Sequence, residues 1–134
     1  MPARTLLAAV VVALLYAGVV HSQEPLMHTK DTLDDVKKNV AAGKALIVDV
    51  REKIEWDAGH LKDAKFVPQS KLKVEAELAA LLKDLPKDKV IYTHCRAGGR
   101  AVTCGEILKK QGYDVRPLKP GYDDLIKAGF EKAK

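Results

Sequence analysis

The stretch KVIYTHCRAGGRA, residues 89–101, decides the fold. Val90 to His94 is rich in β-branched and aromatic residues and reads as a strand. A pair of glycines follows Cys95, and a helix is predicted from about Arg100 to Gln111. Ala101, Cys104, Ile107 and Leu108 then share one side, and Gly112 is the stop signal. A strand that runs through a short glycine turn into a helix is the junction of a parallel α/β sheet. Working outward, ALIVDV (45–50) is a continuous apolar run, a strand covered on both faces. AKFVP (64–68) and YDVRPL (113–118) read as further strands, with an edge strand around Leu26 to His28. Between them, DTLDDVKKNVAAGK (31–44) places Leu33, Val36 and Val40 at helical spacing, with Thr32 as cap and Gly43 as terminator. KIEWDAG (53–59) is a short helix stopped by Gly59. KVEAELAALLKDLP (73–86) predicts one helix with Val74, Leu78, Leu81, Leu82 and Leu85 as its stripe and Pro86 as its stop. A last short helix is expected at Tyr122 to Ala128. The alternation favours a parallel sheet with helices on both faces, whose reacting groups collect at the carboxyl ends of the strands. Asp49 and Arg51 at one strand end, and His94 and Cys95 at another, should therefore meet.

The turn itself carries chemistry. Gly98 and Gly99 permit positive φ, so successive N–H groups can point inward and form an anion nest at a helix N-terminus. A thiolate in that position is stabilised, and Arg100 adds a fixed positive charge. The set suits a nucleophilic cysteine acting on an anionic substrate. The plainer reading, a small buried residue at a strand end, is outweighed by the glycines and flanking arginines. Cysteine phosphatases place their arginine six positions after the cysteine. Here that position is Ala101, and Arg100 comes one earlier. The shorter loop makes a smaller ring of N–H groups, which fits sulfur better than a tetrahedral phosphoryl group.

The rest of the chain sets bounds. Its 134 residues suit one domain. A basic start, the apolar run Leu6 to Val20 and small residues near Ser22 describe a signal peptide over residues 1–22, cleaved before Gln23. The run is short for a spanning helix, and an uncleaved anchor is the alternative. The mature domain is then 23–134, exported to a periplasmic or secreted location. The formal charge of +5 is spread over many segments. That argues for a lysine-rich surface and against nucleic-acid binding. The two cysteines form no CxxC motif, and His21, His28, His60 and His94 show no ligand spacing, so no metal site is expected. Trp56 is read as core. Cys104 is core filler or a resolving partner for Cys95, and His94 is read as packing or a local hydrogen bond, with modulation of the thiol as the alternative.

In the order and spacing of its motifs the chain resembles a single-domain rhodanese. The matching residues are LIVDVRE (46–52), EWDAGHLKDAKFVP (55–68) and YTHCRAGGRA (92–101), with GYDV (112–115) and LKPGYDDLIKAGF (118–130) matching more loosely. The resemblance implies a parallel five-stranded sheet flanked by helices. It also implies that Cys95 takes up sulfane sulfur from a donor such as thiosulfate and passes it to a thiol or cyanide, without a cofactor. The backbone of Arg96, Ala97, Gly98, Gly99 and Arg100 would cradle the persulfide. The Arg96 and Arg100 side chains would stabilise the anionic donor or hold the loop. Asp49 and Arg51 would support the loop, and His60 would be a hydrogen-bonded turn residue. The partners implied are a small anionic donor and a thiol acceptor, small or on a protein, and a monomer is expected. The family often has two glycines and a tryptophan near its end, where this chain has Pro120-Gly121 and Leu125. Three other functions remain: a persulfide carrier, a non-catalytic binding module of the same family, and a cysteine phosphatase or arsenate reductase.

Overall fold

The two apolar runs at 45–50 and 90–94 become the centre of one parallel sheet. The computed structural model describes residues 24–134; the segment assigned above to a signal peptide lies outside them. Thr32 caps α1 (Leu33–Ala41) through a reciprocal capping box with Asp35. β1 (Ala45–Asp49) leads to α2 (Lys53–Ala58) and then to the short β2 (Ala64–Phe66). α3 (Gln69–Leu72), a 3-10 turn (Glu75–Glu77) and α4 (Leu78–Leu82) precede β3 (Val90–His94). α5 (Gly99–Lys110), β4 (Asp114–Pro117) and α6 (Tyr122–Lys127) complete the chain.

The strand order is β2-β1-β3-β4, with every pairing parallel. Asp49 pairs in register with His94, so the carboxyl ends of the two central strands lie side by side. The helices cover both faces. On one, Val48, Ile91 and Val115 of the sheet pack with Leu72, Leu82, Cys104 and Leu108. On the other, Ile47 and Tyr92 pack with Val36 of α1 and Leu125 of α6. Because the central strands are covered twice, they read in sequence as unbroken apolar runs.

The sheet has four strands where five were expected. The predicted edge strand at Leu26 to His28 runs beside β4, and one backbone bond ties it there, Thr29 N–H to the Pro117 carbonyl at 2.7 Å. Its remaining links go elsewhere. The Leu26 N–H donates to Glu106, and Lys109 donates to the Glu24 carbonyl. A segment held by side chains forms no ladder. The helix expected over 73–86 is also broken up. Leu72 on α3 is buried while Val74 is 43 % exposed, so the apolar stripe is shared between two short helices with the 3-10 turn between them. The Tyr113 hydroxyl ties off the second helix by donating to the Leu82 and Leu85 carbonyls.

Candidate active site

The expected meeting of strand ends is realised. Asp49 ends β1 and His94 ends β3, and both are fully buried beneath Cys95. Cys95 follows β3 directly and is 1 % exposed. Gly98 takes the left-handed conformation at the N-cap of α5, with φ 95°, and its N–H then donates to Cys95 Sγ at 3.0 Å. The site therefore contains the expected backbone donor to sulfur, set at the positive end of a helix of twelve residues.

The loop is held from its own strand and from the start of α6. Thr93 Oγ1 donates to the Ala101 carbonyl at 2.8 Å, clipping β3 to the first turn of α5. Tyr122 N–H donates to the Cys95 carbonyl at 2.9 Å. Gly121 packs so tightly that a Cβ there would lie 1.6 Å from the Arg96 carbonyl oxygen. That close approach is a requirement for glycine which no local sequence signal shows.

Arg51 is 4 % exposed and holds Asp49 through its own N–H, Nε and Nη2. It also donates to the Gly59 carbonyl at 2.8 Å. Its guanidinium lies 4.2 Å from the centre of the Tyr122 ring. The buried pair is therefore fully engaged and braces α2 and α6 behind the loop. His60 follows the end of α2, two residues past its last turn. Its Nδ1–H donates to the Trp56 carbonyl at 3.0 Å, and its ring stacks on Trp56 with centroids 3.6 Å apart. Trp56 is half-buried in an aromatic stack with His60 and Phe66, and is not the core residue expected.

The two loop arginines part company. Arg100 forms a two-pronged pair with Glu55, at 2.6 and 2.9 Å, and those hydrogen bonds hold the Glu55 carboxyl down at about 2. Glu55 also accepts the Glu52 N–H, and Glu52 accepts from the Ser70 N–H and hydroxyl, so Arg100 anchors the loop to α2 and α3. Arg96 is exposed and has no ion-pair partner among the described residues. With Arg51, Gly59, Tyr122 and Asp123 it lines a depression of about 300 Å³ beside the loop. A larger one, about 660 Å³, lies at the amino ends of β1 and β2, where lysines rim it together with Asp63 and Glu131 and it holds no cysteine.

His94 lies with Nδ1 3.5 Å from the Cys95 carbonyl and Nε2 3.7 Å from Asp49 Oδ2. Burial pushes its imidazole below the usual range, against the opposing pull of Asp49. Cys95 and Cys104 are both free thiols. Cys104 sits in the core of α5, and burial, reinforced by the charge of Cys95, pushes its thiol up to about 11. Among the described residues no three His, Cys, Asp or Glu side chains converge to hold a metal ion. No described helix is long and apolar enough to cross a membrane.

A four-stranded parallel α/β domain with a cysteine in the loop between a central strand and its helix defines a class of strand–loop–helix cysteine proteins. Within it, the family model described as Rhodanese-like domain matches residues 32–128, and the chain belongs to that family. It is 29% identical over 92 residues to YqhL of Bacillus subtilis, an uncharacterized protein, covering 68% of each chain. It is 31% identical over 70 residues to the probable adenylyltransferase/sulfurtransferase MoeZ of Mycobacterium tuberculosis, spanning 17% of that protein's length. Among solved structures, hp1203 of Helicobacter pylori matches with TM-score 0.55 and 32% identity over 68% of this chain and 79% of that one. The human single-domain sulfurtransferase TSTD1 shares the fold at TM-score 0.61 and 24% identity, over 78% of this chain and 96% of that one.

Proposed function

We propose that the protein is a sulfurtransferase that carries sulfane sulfur as a persulfide on Cys95. The observation that carries this reading is the Gly98 N–H aimed at Sγ from 3.0 Å, in a loop whose arginine comes one position earlier than in a phosphatase. The Cys95 thiolate attacks the outer sulfur of a donor such as thiosulfate. The donor's S–S bond breaks, its electron pair leaves with sulfite, and a Cys95 persulfide remains. An acceptor thiolate or cyanide then attacks the outer sulfur and returns the electron pair to Cys95. No external electrons are exchanged, so the cycle needs no cofactor.

In this reading the Arg96 to Arg100 backbone receives the negative sulfur. Arg96 is the exposed charge that meets the donor, and Arg100, Asp49 and Arg51 keep the loop in place, with His60 bracing the segment that carries the Gly59 carbonyl. The acceptor is a small thiol or a protein thiol, and the protein acts as a monomer after export and removal of residues 1–22. Incubation with thiosulfate should add the mass of one sulfur atom at Cys95, and cyanide should remove it as thiocyanate. Hydrolysis of aryl phosphates without sulfur uptake would sink the reading. Export is tested separately: protein from its native host should begin near Gln23.

A further inference from the structure

From the contacts of the segment 24–31 we infer that His28 is a positioning residue for the Cys95 loop, a role that rests on the sulfurtransferase reading for its kinetic consequence but not for its geometry. The segment runs back along α5. Lys109 donates to the Glu24 carbonyl, the Leu26 N–H donates to Glu106, and the Leu26 side chain packs 2.8 Å from where a Cβ on Gly105 would fall. Beyond His28 it is pinned again, because Asp31 accepts from the Tyr92 hydroxyl at 2.7 Å and from Arg116 at 2.9 Å. Between these anchors, the His28 Nε2–H donates to the Gly98 carbonyl at 2.8 Å.

Gly98 is the residue whose N–H reaches Cys95 Sγ. It is also the N-cap of α5, and no side chain caps that helix. Glycine at this position gives the turn its left-handed shape and leaves it the most freedom to fray. The Gly98 carbonyl and the Gly99 N–H belong to one planar trans peptide and point in opposite directions. With the carbonyl held towards His28, the Gly99 N–H is held pointing away from it. His28 thus fixes the peptide on one side of Gly98 while the thiol fixes the other. A cradle of N–H groups accelerates charge development on sulfur only if it is already aligned, so the brace acts on turnover more than on donor binding.

The test compares His28→Ala with His28→Gln, whose amide restores a donor. Two measurements need no sulfur transfer: amide hydrogen exchange at Gly98 and Gly99, and the alkylation rate of Cys95 by iodoacetamide. The others are kcat and KM with thiosulfate. His28→Ala should speed exchange at both glycines and lower kcat by about tenfold, with KM within about twofold, as expected when prealigned donors slacken. His28→Gln should return exchange, alkylation and kcat most of the way. If His28→Ala does not fold, His28→Leu keeps bulk without a donor and takes its place. Wild-type exchange and kcat in the donor-less variant would overturn the role, as would an equal loss in His28→Gln. A wild-type protein that transfers no sulfur would refute the proposed function alone, and the exchange and alkylation data would still decide the brace.

Discussion

Cys95 and Cys104 are both buried to within 1 % of full burial, and both belong to the same core cluster. They differ in what faces the sulfur. Cys95 receives a backbone N–H from a left-handed glycine at the mouth of α5. Cys104, one turn further along, has apolar neighbours, and its thiol is pushed up to about 11. Burial alone makes a thiol inert. Oriented donors at a helix end can make a buried sulfur useful as an anion, so the difference between the two lies in backbone geometry.

The sharpest way to break this comparison is to exchange roles. Cys95→Ser should abolish sulfur uptake, because oxygen forms no persulfide, while thermal unfolding shows the fold intact. Cys104→Ala should keep uptake near the wild-type rate and cost about 1 kcal/mol of stability through the small cavity it leaves. Uptake that followed Cys104 instead would reverse the assignment.

A smaller effect is expected from the anchor of the loop. Arg100→Ala should reduce donor turnover by about tenfold, a loss on the scale of one misplaced catalytic group. It should also free Glu55 to titrate in the ordinary carboxylate range. The Glu55 carboxyl is lower in the folded protein than in the unfolded chain. The pair therefore stabilises fully above the unfolded value of 4.5 and loses its contribution as pH falls towards about 2. Denaturation midpoints across that window should decline in the wild type and decline less in Glu55→Gln.

The smallest effect concerns His94, which folding buries in its neutral form. Its folded value lies below the unfolded one of 6.5, so the unfolded chain binds the extra proton. Stability is then undiminished above pH 6.5 and falls below it, at no more than about 1.4 kcal/mol per pH unit for one proton. Urea midpoints at pH 7.5 and 5.5 should differ in the wild type and converge in His94→Leu. An equal drop in that variant would assign the dependence to other groups.

The parts of this molecule that were legible in the sequence are those governed by local pattern. β1 and β3 announce themselves because a doubly covered strand must be apolar on both faces. The glycine pair after Cys95 marks the turn, because few other residues take the conformation of Gly98. The fifth strand was misread because an extended apolar segment looks the same whether it joins a ladder or, like Leu26 to His28, is tied by side chains. The partner of Arg100 was invisible for a different reason. Which acid it meets depends on where α2 comes to rest, and Glu52, Glu55 and Asp57 are alike in sequence. Likewise, His28 stands in a segment with no periodicity, and only the docked chain shows that its ring reaches Gly98.

The seating of Gly121 against Arg96 has a consequence for the order in which the protein is made. Residues 95–100 are synthesised before Gly121 and Tyr122, which supply the closest packing against that loop and the N–H bond to the Cys95 carbonyl. Until those residues arrive the loop lacks one whole wall, and Cys95 is set no differently from any cysteine on a growing chain. A fragment that stops short of Gly121 carries Cys95 without that wall. The setting of Cys95 is therefore complete only once the start of α6 has docked against the loop.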